Sequence, residues 1–284
     1  MYVAWIRRSG WSVAALALWV GLAPCRADEP DAQADAADTN TSGAAAVLAD
    51  FEAAGRAVET IHCGVVYSTR DALNETETTK LGTILFKRSS DNPMFLITFT
   101  KTVSDGIQFP ANEWWLFRDR WLWEAKAKSS TIIKRELFAP GEKFDLFDLD
   151  KSPVPMPFGQ TRHDVLAKFK VRLMPPQVGD PQNTDHLYCV PRPDSPLARD
   201  YRRLEYYIAK STHLPVRIVA EDANQTKVTI AEFKDLSDGA RSQEPLSAKS
   251  INVNIPDSAF KLPDETSGYH VSVEPLEERN RAGR

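Results

Sequence analysis

The sequence predicts an α+β fold, in which a strongly curved antiparallel sheet forms an incomplete β-barrel with helices as a lid on its concave side. Three observations predict it. About ten short strand-like segments follow one another in meander order, one amphipathic helical stretch precedes them, and one short helical stretch is inserted behind a proline-rich connector. No internal repeat is visible.

The first 30 residues, MYVAWIRRSGWSVAALALWVGLAPCRADEP, carry Arg7 and Arg8, an apolar run from Trp11 to Ala23, and Cys25-Arg26-Ala27 before Asp28. A positive start, a short apolar stretch and a small-x-Ala site read as a signal peptide, residues 1–27, cleaved after Ala27. The run is shorter than the roughly 20 residues a membrane span needs. The expectation is therefore an exported, soluble, periplasmic protein. Residues 28–43, DEPDAQADAADTNTSG, are acidic and small, without apolar periodicity, and read as a disordered acidic leader.

Charge narrows the function. Taking Arg7, Arg8 and Arg26 from the 35 basic residues leaves 32 against 39 acidic ones, a net charge of −7. That balance argues against nucleic acid, whose binding rests on neutralised phosphates, and against adhesion to an anionic membrane surface. Cys63 and Cys189 are the cysteines beyond the leader. In an oxidising compartment they allow one disulfide; two separately buried thiols are the alternative.

From Ala44 the pattern becomes structured. Val47, Leu48, Phe51, Ala54 and Val58 recur at helical spacing, giving an amphipathic helix to about Glu59. Strand-like segments follow at 63–69, 80–88 and 94–101. NEWWLFRDRWLWE, residues 112–124, reads as a β-hairpin whose arms, 114–117 and 121–123, flank Arg118-Asp119-Arg120 as the turn. A strand at 130–137 comes next. Pro153, Pro155 and Pro157 then forbid a central strand or a continuous helix. Residues 161–170 form a short helix with Thr161 as N-cap, and Val165, Leu166 and Phe169 are its apolar side. Further strands are expected at 171–174, 186–190, 203–209, 216–221, 227–233 and 251–255. Residues 44–273 make one domain and 274–284 a polar tail.

This order of segments resembles the outer-membrane lipoprotein carrier family, the periplasmic LolA-like proteins, and the related lipoprotein-sorting domains. The likeness covers 44–273. A helix containing Phe51 leads into the first strand. GTILFKR, residues 82–88, resembles the family's Gly-x-hydrophobic-Lys-Arg strand, and the tryptophan hairpin resembles its apolar–Asp turn–aromatic pair. Leu214-Pro215, the segment IPDSAF at 255–260, and Gly268-Tyr269 resemble the C-terminal half. The resemblance implies a half-barrel (LolA/LolB-like) closed by a helical lid, with an apolar cavity for acyl chains and Arg88 as the latch of the closed lid. The chain departs from the pattern in having Ser89-Ser90-Asp91 where a proline usually follows the arginine, and in insertions at 177–185 and 191–202.

Strand parity assigns the cavity wall. With Arg88 inward, Ile84 and Phe86 share its face. Phe95, Ile97 and Phe99 form the inward set of the next strand. On the hairpin, Trp121 and Trp123 are assigned inward, Trp115 and Phe117 are included with them, and Trp114 is placed outside. Aromatic alternation of this kind also describes simple core packing. His62, His163, His186, His213 and His270 are scattered, and Asp145, Asp148 and Asp150 read as a solvated acidic loop rather than a calcium site. No metal, no cofactor and no enzyme activity are expected.

The function expected is a carrier of lipids or acylated lipoproteins, monomeric, exchanging cargo with membrane-bound donor and acceptor proteins. An envelope sensor of the same fold that binds a partner protein, and a structural envelope protein with a self-filled barrel, are the alternatives.

Overall fold

The computed structural model describes residues 37–89, 93–141, 160–237 and 240–276. The signal-peptide reading, the connector prolines, the run Asp145, Asp148 and Asp150, and most of the expected tail lie outside the described residues.

Helix α1 (Ala37–Ala57) leads into six strands: β1 (Thr60–Asp71), β2 (Thr76–Lys87), β3 (Met94–Ser104), β4 (Ile107–Arg118), β5 (Trp121–Lys126) and β6 (Thr131–Glu136). Helix α2 (Arg162–Lys168) precedes β7 (Phe169–Met174), β8 (Thr184–Pro191), β9 (Tyr201–Ala209), β10 (Pro215–Asp222), β11 (Lys227–Ser237), β12 (Ala240–Pro245) and, last, β13 (His270–Glu274). The strands form one 13-stranded sheet in the order β13-β6-β5-β4-β3-β2-β1-β11-β10-β9-β8-β7, with β12 paired to β11 off this path. Two antiparallel meanders, β1 to β6 and β7 to β11, thus meet at the β1–β11 pair, where Val65 opposes Phe233. The curved sheet is unclosed, with β13 at one end and β7 at the other.

Both faces of the N-terminal half are apolar, so two cores are needed. The larger gathers Leu48 and Phe51 of α1 with Phe86, Phe95 and Phe117 of the concave face, and takes in Tyr207 from the other face of β9. The smaller covers the outer face of β3 to β6, where Met94, Leu96, Trp114 and Leu116 pack against Ile255 and Phe260 from the C-terminal segment. That segment is a strap. It starts where the buried Asp235 accepts hydrogen bonds from the Ser247 backbone N–H (2.9 Å), the Ser247 hydroxyl (2.6 Å) and the Ser250 hydroxyl (2.7 Å). Lys87 then donates to the Ile255 carbonyl (3.2 Å) and to Asp257 (2.6 Å). The strap ends as β13, which pairs in parallel with β6.

Three expectations change here. The leader was read as disordered to residue 43, but α1 already starts at Ala37; once a helix is nucleated, each added residue gains a backbone bond at little cost. The strand expected at 251–255 is only an isolated bridge between Ile61 and Ile251, because Asn252 turns left-handed at φ 53° and leaves the extended course. The strand that does form is β13, whose last residue lies in the expected polar tail. Cys63 and Cys189 are free, fully buried thiols and not a disulfide, and burial pushes both thiols up, with Asp235 adding to it for Cys63 and Glu205 for Cys189.

Gly82 marks the tightest strand crossing. The β2–β3 register shifts between Leu81 and Gly82, and a Cβ on Gly82 would stand 1.9 Å from the Thr98 carbonyl oxygen, which is backbone and cannot swing aside. Gly82→Ala is expected to lower the unfolding free energy by about 3 kcal/mol, the upper end for overpacking, read as a reduced urea midpoint at unchanged slope.

Candidate functional site

The concave face is built by strand parity. Ile84, Phe86, Phe95, Ile97, Phe99 and Phe117 all point into the larger core and are at most 3% exposed. Their rings interlock: Phe95 stacks on Phe117 with centroids 5.7 Å apart, and Phe117 meets Phe138 edge-on at 6.2 Å. Trp115 joins this face, edge-on to Phe99 at 5.5 Å and to Tyr67 at 6.3 Å. Its indole Nε1–H is buried without a hydrogen-bond partner among the described residues.

Trp121 and Trp123 do not belong to the concave wall. The hairpin turn has two residues, Asp119 and Arg120, both at positive φ (51° and 65°), and Arg118 pairs with Trp121. A three-residue turn would have paired Phe117 with Trp121. The observed register pairs Phe117 with Leu122 and Leu116 with Trp123 instead. A one-residue slip exchanges the faces of an entire strand, so Leu122 enters the concave core while Trp123 packs on the outer one. There the Lys134 ammonium lies 4.4 Å from the Trp121 ring and 4.3 Å from the Trp123 ring, a cation between two indoles. Trp114, 5% exposed, is sealed under the strap. The four tryptophans thus divide one to the concave face and three to the outer one.

Helix α1 packs against β7 and α2, and its Ala44, Leu48 and Phe51, with Val58 just beyond its end, are buried in the larger core. Glu52 accepts from the backbone N–H of Arg162 (3.0 Å), placing a carboxylate at the positive end of α2. Thr161 caps α2, accepting from the Asp164 N–H at 3.1 Å. Val165 is buried and Leu166 packs on the larger core, but Phe169, expected on the helix, is the first residue of β7 and lies in the sheet.

Arg88 reaches the last turn of α1 from the end of β2. Its Nε donates to the Val58 carbonyl and its guanidinium NH2 to the Gly55 carbonyl, both at 2.8 Å, while its backbone N–H donates to Glu59 O at 2.7 Å. The last carbonyls of a helix have no partner within it and carry the negative end of its dipole, so a guanidinium matches them in hydrogen bonding and in charge. Asn252 completes the clamp: it donates to Ala57 O (3.1 Å) and accepts from Glu59 N–H (2.8 Å). Sequence reasoning missed Asn252, since one of two asparagines alternating with Ile251, Val253 and Ile255 gives no signal of a partner 193 residues away.

The outer face of the C-terminal half holds a buried polar group that the scattered histidines did not announce. His186 stacks on Tyr207 at 4.3 Å, with Glu205 Oε2 3.0 Å from its Nε2 and Asp180 Oδ2 3.6 Å from its Nδ1. Glu205 also accepts from the Tyr207 hydroxyl (3.0 Å) and pairs with Arg203 at 3.0 Å.

The fold and this site define a class: a single strongly curved, unclosed sheet with a helix clamped at its last turn by a strand-end arginine. No sequence-family model matches the chain, and no curated protein matches it. Among solved structures it is similar to an uncharacterized conserved protein from Thermus thermophilus, at 12% identity over 82% of this chain and 99% of that one, with a TM-score of 0.43. It is similar to MucB in the MucA/MucB complex of Pseudomonas aeruginosa, at 13% identity over 75% of this chain and 63% of that one, TM-score 0.39. A LolA superfamily protein from Nitrosomonas europaea aligns at 15% identity over 77% of this chain and 97% of that one, TM-score 0.33. These are likenesses of fold alone.

Two outcomes are expected from this geometry. Arg88→Leu leaves the Gly55 and Val58 carbonyls without their cationic donor and should cost about 2–4 kcal/mol, with amide exchange in the last two turns of α1 rising well before the sheet exchanges. Burial works against the Glu205 carboxylate, but the His186 hydrogen bond, the Arg203 charge and the Tyr207 hydroxyl outweigh it and hold its pKa below the ordinary 4.5. A carboxyl depressed in the folded state contributes stability that is full above its unfolded value and lost as pH falls through the folded one. Glu205→Gln should therefore flatten the loss of stability below pH 4.5, followed by thermal melts across the acid range.

Proposed function

We propose that this chain is an exported binding protein for acyl chains, of a lipid or an acylated lipoprotein, which it holds against the concave aromatic face under helix α1. The observation that carries the proposal is the Arg88 clamp: two side-chain hydrogen bonds, from the end of β2 to the last turn of α1, hold a helix whose Leu48 and Phe51 cover the larger core. Releasing that turn uncovers a continuous apolar surface at one edge and leaves the sheet intact. Such a surface takes acyl chains through the hydrophobic effect, with little polar selectivity along the chain. The proposal gives the site no catalytic step. Membrane-bound donor and acceptor proteins would load and unload it.

One observation favours a second reading, a structural envelope protein with a self-filled interior: Phe86, Phe95 and Phe117 are fully buried against one another. Binding to a partner protein, in a sensor of the same fold, is the third.

The test is purification from envelope extracts under mild conditions, with mass spectrometry of whatever accompanies the protein, together with titration by acyl chains brominated along their length. Acyl carriage predicts a co-purifying acylated molecule and quenching of Trp115, abolished when Trp115 is replaced by Phe in a chain that keeps Trp114, Trp121 and Trp123. A chain that repeatedly comes out bare and whose fluorescence ignores the brominated probe is self-filled.

A further inference from the structure

The larger core gathers several buried polar atoms where helix α2 begins. Gln160, the residue before the α2 cap, and Tyr206, in the middle of β9, are each 4% exposed. The Gln160 side chain lies beside the Tyr206 hydroxyl, and Phe51 of α1 packs on the Tyr206 ring with centroids 6.4 Å apart. Yet the Gln160 amide oxygen, the Gln160 amide nitrogen and the Tyr206 hydroxyl all lack a completed hydrogen bond among the described residues. Buried polar atoms are nearly always paired, and here the Gln160 amide and the Tyr206 hydroxyl have at most each other, which leaves donor and acceptor capacity between them. Burial pushes the Tyr206 phenol up, which keeps it a neutral hydroxyl able to donate and accept.

We propose that Gln160 and Tyr206 form a recognition site for the amide linkage at the head of an acyl chain. This rests on the acyl-binding reading above and adds the chemical class of the ligand's head. A primary carboxamide donates through Nε2 and accepts through Oε1, the complement of a secondary amide, which offers one carbonyl and one N–H. The Tyr206 hydroxyl supplies a second donor to the same carbonyl. An ester has the carbonyl without the N–H, and an ether has neither. The site therefore ranks amide over ester over ether at equal chain length, while the apolar face takes the chain itself.

An amide-linked chain belongs either to a free N-acyl lipid or to an N-acylated polypeptide, and the probes separate the two. The delipidated full chain is titrated calorimetrically with N-ethyldodecanamide, ethyl dodecanoate, ethyl dodecyl ether and an N-dodecanoyl pentapeptide. The amide is expected to bind about tenfold more tightly than the ether, with the ester between. A pentapeptide that matches the amide assigns an acylated polypeptide; one that is excluded assigns a free lipid. Gln160→Leu and Tyr206→Phe, singly and together, should bring the amide down to the ether's affinity, leave the ether unchanged, and leave Tm level or raised, since each removes a buried orphan. Equal affinity of amide and ether for the unsubstituted chain overturns the proposal while the acyl-binding reading stands. So does a preference that survives the double variant, or a fall in Tm on Tyr206→Phe alone, which would mark the hydroxyl as already paired. Binding of none of the four probes overturns both readings together.

Discussion

The last turn of α1 is the constraint on which the arrangement depends. The end of a helix leaves its final carbonyls without partners in the helix itself, and here Gly55 and Val58 are buried while Arg56, Ala57 and Glu59 are exposed. Arg88 from the end of β2 and Asn252 from the start of the strap meet those carbonyls at 2.8 to 3.1 Å. The same two residues join parts of the chain far apart in sequence: the first helix, the β2 edge and the C-terminal strap converge on residues 55 to 59. Phe51, one turn earlier, then has a fixed position over Tyr206.

The second constraint is that the N-terminal half of the sheet is apolar on both faces. Leu96, Trp114 and Leu116 alternate with Phe95, Trp115 and Phe117, and neither set can be left in water. The strap covers one of these faces, and the other is buried in the larger core, which Leu48 and Phe51 of α1 also join. This explains the course of residues 251–269, which form no regular strand but bury Ile255 and Phe260. It also explains β13, whose parallel pairing with β6 fastens the end of the strap to the strand it has just crossed. The Arg135 guanidinium on β6 holds Glu274 at 2.7 Å, and the Leu276 N–H donates to Glu136 at 3.1 Å.

Much of this was visible in the sequence because alternation is local. Ile84 and Phe86 share a face for the same reason that Phe95, Ile97 and Phe99 do, and no knowledge of partners is required. The short helix at 162–168 announced itself through Thr161 and Asp164. The hairpin failed for an instructive reason. Alternation within each arm is certain, but which face of β5 matches which face of β4 depends on one backbone detail, the count of residues in the turn. Arg118-Asp119-Arg120 contains no glycine, so nothing marked Asp119 and Arg120 as the two left-handed positions. Arg120 is held there by partners remote in sequence, its Nε 3.0 Å from Glu136 and its carbonyl receiving the Leu137 N–H. Asn252 and the Gln160–Tyr206 pair were hidden for the same reason: each acquires meaning only from contacts made across the fold.

A packed interior and a binding role are compatible only if the cover yields at a cost below what a ligand returns. Two charge-assisted hydrogen bonds from Arg88 are worth about 1.5–3 kcal/mol each, so opening the last turn of α1 costs on the order of 3–6 kcal/mol before any ring is exposed. An acyl chain burying ten methylenes returns about 8 kcal/mol. The two magnitudes are close, which is what the acyl-binding proposal requires of the clamp. On the acyl-binding proposal, then, the Arg88 clamp sets the cost of admitting a chain, and the polar atoms of Gln160 and Tyr206 act on the head of the ligand.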